Sequence, residues 1–425
     1  MRESELTISA KGAKMSYSSA EKEILRSLAG RVREIAEDKS MPERMKRLTA
    51  LNSLKADRPV VLVYPEGSWR ELLPNAKLET VNPLLREWEH ELRSKIIWWE
   101  NFRDDNALEP DFMINRVLNK SDYGVPYVEH RTSENGSVVW DAPLKNLDED
   151  FSKLKTRTFK YDREETSRRF ALAGEIFGDL LPPREISAFW WTLGLTMDAI
   201  YLVGLQNLML YMYDSPEGVH RLMAFLRDNA MNLLDLCEKE NLLTQYNRNE
   251  YVGSGGSAYT DELPAKDWKP GMPVRLKDRW GFGESQETVG VSPEQFAEFI
   301  FPYQLPILSR FGLNCYGCCE PVDKRLDYIM QIPNLRRVSV SPWANQDICA
   351  DSLKGKAVFS RKPNPSLLSA SFSETELRKD LRSTLEAAKG IRNQVEIIMK
   401  DTHTCGNDIS RFTRWVKMAY EEIGG

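Results

Sequence analysis

Two adjacent thiols and a carboxylate close the apolar run Leu313–Pro321, as Cys318, Cys319 and Glu320. A histidine follows a second apolar run, Val395–Met399, within Lys400, Asp401, Thr402, His403, Thr404 and Cys405. Thiolate and imidazole are zinc ligands, and both also serve as nucleophiles or proton carriers. Cys318 is a candidate ligand or catalytic thiol. Cys315 alternates inside its run and is expected to pack as a small apolar group. The spacing Cys315-x-x-Cys318 suits a zinc pair, but no second pair exists to complete a closed structural site. Of the 4 histidines, His90 and His220 fall in helical segments and His130 in a hairpin. His403 alone follows a buried run, as a candidate metal ligand or general acid/base with Asp401 orienting it.

Further groups stand near other apolar runs. In Trp280–Val289, Glu284 and Gln286 share one face of an expected strand and Glu287 takes the other. One of the first two is expected to face the pocket, unless a salt bridge to Arg279 or Lys277 claims it. Tyr316 either reaches the same cavity or packs, and Glu320 is a loop charge or a carboxylate ligand. Arg361, Lys362 and Asn364 place cations and an amide where an anionic substrate would be held. Trp191 and Trp343 offer aromatic walls. Gly253–Gly256 lacks the strand–turn–helix setting of a phosphate cradle, so nucleotide binding is not expected.

These residues meet only if parallel strands present their C-terminal ends on one face. The pattern supplies such strands. Short β-prone runs alternate with helical segments, regularly so after residue 313, which argues for parallel βα units. Eight strands are expected: 60–64, 111–118, 184–191, 280–289, 313–317, 335–341, 357–361 and 395–400, with 244–252 as a doubtful ninth. Residues 1–56 form a tail and helices, and the barrel domain spans 57–425. Tyr123–Trp140 alternates around Asn135-Gly136, which predicts a β-hairpin. It would form an inserted flap over about 120–160, and 250–278 an excursion over the mouth. The fold class is α/β, a (β/α)8 TIM barrel with an N-terminal helical extension.

Composition narrows the function. The 425 residues are 41% hydrophobic and 28% charged with a net charge of −5, an ordinary globular balance without a nucleic-acid footprint. No apolar run approaches the roughly 18 residues that a membrane helix needs. Met1–Lys14 is polar, so no secretory leader is expected; Met1 and Met15 are both candidate starts. The 6 cysteines are too sparse for a disulfide scaffold and suit a reducing cytoplasm, which makes the sequon at Asn135 a chance match.

The order of motifs resembles the uroporphyrinogen decarboxylase superfamily, which includes corrinoid-linked and coenzyme-M-linked methyltransferases. The resemblance runs from about Asp57 to the end. It is carried by Asp57-Arg58-Pro59-Val60, Trp191-Thr192-Leu193, Ser215–His220, Gly290–Phe296 with Phe301-Pro302-Tyr303, and Tyr316-Gly317-Cys318. The superfamily fold is a (β/α)8 barrel with its active site at the mouth. Its decarboxylases carry an arginine-bearing segment after the first strand and an aspartate after the second. Here those places read Val63–Trp69 and Asn115-Arg116, without either group, while His403 matches the histidine after the last strand. The methyltransferase branch carries zinc on His-x-Cys after one strand and a further ligand after the last. Tyr316-Gly317-Cys318 stands at the first place, with tyrosine for histidine, and His403 near the second. The resemblance implies zinc on Cys318, His403 and Glu284 or Glu320, with Glu284, Gln286 or Tyr316 as acid/base. It implies methyl transfer from a small methylated substrate to a thiol or to the corrinoid of a partner protein. A metal-free decarboxylase or lyase using His403, and a non-catalytic binding barrel, are the alternatives; a homodimer is left open.

Overall fold

The computed structural model describes residues 17–126, 128–131, 138–369 and 372–424. The tail with Met15, the Asn135-Gly136 turn and the Asn135 sequon lie outside them. Eight strands carry the α/β core: β1 (Val60–Val63), β2 (Phe112–Asn115), β3 (Pro183–Ile186), β4 (Trp280–Gly283), β5 (Leu313–Tyr316), β6 (Leu335–Val340), β7 (Val358–Arg361) and β8 (Val395–Met399). Six form one parallel sheet in the order β1-β8-β7-β6-β5-β4, and β2 pairs with β3 in a parallel sheet of two. Residues between the sheets continue the backbone bonding. Val61 and Val63 donate to the Asp105 and Asp104 carboxylates, and Leu193 N–H donates to Phe282 carbonyl.

Register decides which side chains meet. Pairing of Phe282 with Cys315, Cys315 with Arg337, Ser339 with Ser360, and Ser360 with Glu396 puts these residues on one face. Successive strand residues point to opposite faces, so Tyr316, Val338, Phe359, Arg361 and Ile397 take the other, which helices cover. The polar face meets the segment 250–258, the first part of the excursion 250–278. Only glycine allows that approach. A Cβ on Gly253 would sit 2.9 Å from Cys315 Cβ, and one on Gly256, at φ +108°, 2.9 Å from Arg337 Cζ. Gly256→Ala is expected to lower unfolding free energy by about 1–3 kcal/mol in urea titration, the usual cost of a side chain in that backbone region.

The N-terminal helix Ser19–Ala36 begins in a capping box between Ser18 and Glu21. With Pro83–Asn101 and Arg163–Phe177 it encloses a second apolar core around Trp88, Phe112 and Phe177. Val128–Arg131 and Val138–Asp141 pair antiparallel, and Leu118–Lys120 pairs antiparallel with Phe159–Tyr161. Several elements are shorter than the pattern predicts. The 244–252 run forms no strand beyond an isolated bridge between Tyr251 and Ser257. The 196–213 helix breaks at Gly204, whose φ is +83°. Among the described residues no helix is long and apolar enough to cross a membrane.

Candidate active site

The C-terminal ends of β5, β8 and β1 converge with Ser254 into one polar cluster. Gly317, at φ +87°, turns the chain out of β5 and delivers Cys318. Cys318 Sγ accepts a hydrogen bond from Ser254 Oγ at 3.2 Å, and Lys400 Nζ donates to the same Oγ at 3.2 Å. Lys400 also faces Asp401 Oδ1 at 3.1 Å and Glu66 Oε1 at 3.5 Å. Cys319 Sγ lies 3.6 Å from Cys318 Sγ and 3.8 Å from Asp401 Oδ2. Cys318 and Lys400 are buried, while Cys319 is exposed.

The electrostatics single out one sulfur. The Cys319 thiol holds Cys318 below the usual thiol range; burial opposes this, and Lys400 and Ser254 add to it. Cys319 is pushed up by the same contact. Burial raises Glu66 to about 7, against the pull of Lys400. On the deeper level Lys362 Nζ donates to the Ser360 carbonyl and hydroxyl, and burial lowers it to about 7. Arg337 Nε stands 2.8 Å from Glu396 Oε1, an ionic approach in which neither Nε nor Glu396 Oε2 makes an aligned hydrogen bond. Arg337 Nη2 donates to Asn52 Oδ1 at 2.7 Å, tying the sheet to the helix Met41–Asn52.

Several residues singled out by sequence stand elsewhere. Tyr316 lies on the helix-covered face and spends its hydroxyl on Gln304 Oε1 at 2.7 Å, away from the cluster. Arg361 shares that face. Its guanidinium donates to the Val340, Ser341 and Lys362 carbonyls, to Thr384 and to Asp380, which leaves little for a substrate. Glu284 and Gln286 do not share a strand face, because β4 ends at Gly283 and a 3-10 turn covers Gln286–Thr288. The Glu284 carboxyl accepts from Thr192 Oγ1 and Gln286 N–H; burial, with Glu287 and Glu320 nearby, raises its pKa well above normal. Asn364 caps its own loop through Ser366 N–H. Trp343 is 69% exposed, too far into solvent to wall a cavity. Trp191 lines a cavity of about 40 Å³ together with Trp190, Tyr246, Tyr251, Arg279 and Phe282. Tyr251–Gly253, in that lining, lead directly into Ser254 and so join the cavity to the cluster.

The proposed zinc ligands do not assemble. Glu320 accepts from Cys318 N–H and Ser285 N–H, both at 2.8 Å, and so braces the loop. His403 is exposed, on a loop pinned by its neighbours. Thr402 donates to Pro65 carbonyl, and Glu71 accepts from Thr404 Oγ1 and from the Cys405 and Asn407 amides. Among the described residues no group of three or more His, Cys, Asp and Glu side chains is arranged to hold a metal ion. The residues present therefore do not fit the zinc that the resemblance implies.

Glu71 gives the loop a pH dependence. Burial would raise its pKa, but bonds from Thr404, Asn407 and Cys405 outweigh this and hold it at about 2. A carboxyl depressed in the folded state stabilises above its unfolded pKa, and that contribution is lost as pH falls from about 4.5 toward 2. Glu71→Gln is expected to remove this acid-sensitive step and to speed hydrogen exchange at the Cys405 and Asn407 amides at neutral pH.

Sequence reasoning missed Lys400, Glu66 and Ser254 as site residues. The signal was available for Lys400, a cation directly ending an apolar strand. It was absent for Ser254, whose loop carries no periodic pattern. The sequence matches no family profile and no curated protein. Among solved structures, the chain is similar to a methyltransferase from Methanosarcina mazei at 12% identity and a TM-score of 0.48, over 88% of this chain and 97% of that one.

Proposed function

We propose that the chain is a uroporphyrinogen-decarboxylase-like methyltransferase whose reacting group is the Cys318 thiolate. The observation that carries this reading is the relay from Lys400 through Ser254 Oγ to Cys318 Sγ, which places a cation's hydrogen-bond chain on a buried sulfur beside an aromatic cavity. In this reading the eight strands close into a (β/α)8 barrel over 57–425, with residues 1–56 as an extension. The bonds from Asp104, Asp105 and Leu193 support closure at the two places where strands do not pair.

The step is a displacement. Cys318 Sγ forms a bond to the methyl carbon of a small methylated substrate, the carbon–heteroatom bond breaks, and its electron pair leaves with the heteroatom, which takes a proton from solvent. Lys400 stays protonated and offsets the charge on sulfur before attack. An external thiolate or the corrinoid of a partner protein would be the final acceptor, with the Cys318 Sγ–methyl bond breaking and its electron pair returning to sulfur as thiolate. The six cysteines are all free thiols, which suits a reducing cytoplasm.

Incubation with methylamines, methyl ethers and methyl thioethers, with and without cob(I)alamin, tests the reading by peptide mass spectrometry and corrinoid absorbance. Methyl gain on Cys318 or on cobalt, lost in Cys318→Ser, is expected. Transfer unchanged in Cys318→Ser, or none from any donor, overturns it.

A further inference from the structure

Arg279 is a buried cation that the fold leaves uncompensated. It immediately precedes β4 and is 3% exposed. Its Nη1 donates to Ser187 Oγ at 2.6 Å and its Nη2 to Ser187 carbonyl at 2.9 Å, while Nε has no partner. A guanidinium carries five N–H donors and a permanent charge, so most of its capacity goes unused here. Other buried arginines are treated differently. Arg337 faces Glu396 and Arg361 faces Asp380. Arg325 shares its Nη groups among Ser285, Thr288 and Val291. The nearby carboxylate of Glu250 belongs to Arg184, at 2.6 Å.

In place of an anion Arg279 has rings. Its Cζ lies 4.7 Å from the Tyr246 centroid and 5.6 Å from that of Trp190, and the residue lines the cavity that Trp191 and Phe282 wall. Ring faces stabilise the cation but satisfy none of its in-plane donors. A cavity of about 40 Å³ holds a few heavy atoms, enough for a carboxyl group. Carboxylate matches guanidinium in planarity and charge, and exclusion of water strengthens the pair.

We propose that this cavity binds the carboxylate of a small ligand, paired with Arg279 against the Tyr246 and Trp190 rings. It deepens the reading of the Cys318 site by giving its substrate class an acid group, and rests on that reading for the ligand's role though not for its binding.

Acetate and its neutral isostere acetamide, titrated at fixed ionic strength, are the probes, and tryptophan fluorescence is the readout because three tryptophans line the cavity. Acetate should give a saturable change, with acetamide at least tenfold weaker. Arg279→Gln should weaken acetate at least tenfold, and Arg279→Lys should restore part. Should Arg279→Gln fail to fold, the wild-type melting temperature serves instead, rising with acetate and not with acetamide. Equal responses to both probes, or unchanged acetate binding by folded Arg279→Gln, overturn the proposal. Cys318→Ser should bind acetate as the wild type does. Absence of methyl transfer in the wild type with acetate binding intact sinks the proposed function alone, and wild-type methyl transfer without acetate binding sinks this inference alone.

Discussion

Arg337→Met is expected to lower unfolding free energy by about 3–5 kcal/mol, read from urea titration, because it strands a buried anion. Arg337 is 2% exposed and Glu396 fully buried, so neither charge is hydrated in the folded chain. Removing the guanidinium takes the paired cation from Glu396 and leaves it the hydrogen bond from the Ser360 hydroxyl. The substitution also frees the Asn52 side-chain oxygen and leaves the Ser257 carbonyl with its bond from Asn52 Nδ2. The double variant Arg337→Met/Glu396→Gln should recover more than half of the loss, since a buried ion pair contributes little net stability against uncharged residues of similar volume. A single-variant cost below about 1 kcal/mol, the value of an exposed pair, would show that water reaches this level of the sheet.

That ion pair marks where sequence and structure part company. The α/β class followed from alternation of apolar runs with helical segments, and each of the eight runs overlaps a strand. Strand lengths did not follow, because 184–191 leaves the sheet after Ile186 to line the cavity with Trp190 and Trp191, and 280–289 leaves it after Gly283 for the 3-10 turn at Gln286–Thr288. Facing was legible in principle. With Cys315 on the inner face, a period of two sends Tyr316 outward, and Arg361 follows from its register with Val340. The inner charges were not legible, because Arg337 and Glu396 become partners only once β7 brings β6 and β8 together. Cys318 was marked by its place at a strand end. The adjacent Cys319 that lowers its pKa was visible too, but the added contributions of Ser254, 64 residues upstream, and of a cation from another strand were not.

Lys400→Met should slow alkylation of Cys318 by iodoacetamide about tenfold at pH 7, because losing the ammonium moves the thiol's pKa up and leaves less thiolate. The sign follows from the charges. Lys400 favours thiolate at Cys318, so its loss favours the protonated sulfur and moves the reactive limb of the pH profile to higher pH. Glu66 shifts the same way. It already sits at about 7, and without its cation it keeps its proton to still higher pH. A protonated Glu66 adds no negative charge near the sulfur, so the two changes partly cancel and the slowing stays near tenfold. Lys400→Arg should keep most of the reactivity. Ser254→Ala should slow it by a smaller factor, since the ammonium stays while its link to sulfur goes. Peptide mapping separates Cys318 from Cys319, whose raised pKa delays its own alkylation. Unchanged Cys318 kinetics in Lys400→Met would mean that the ammonium serves Glu66 and Asp401 alone, and the thiol would lose its claim to be the reacting group.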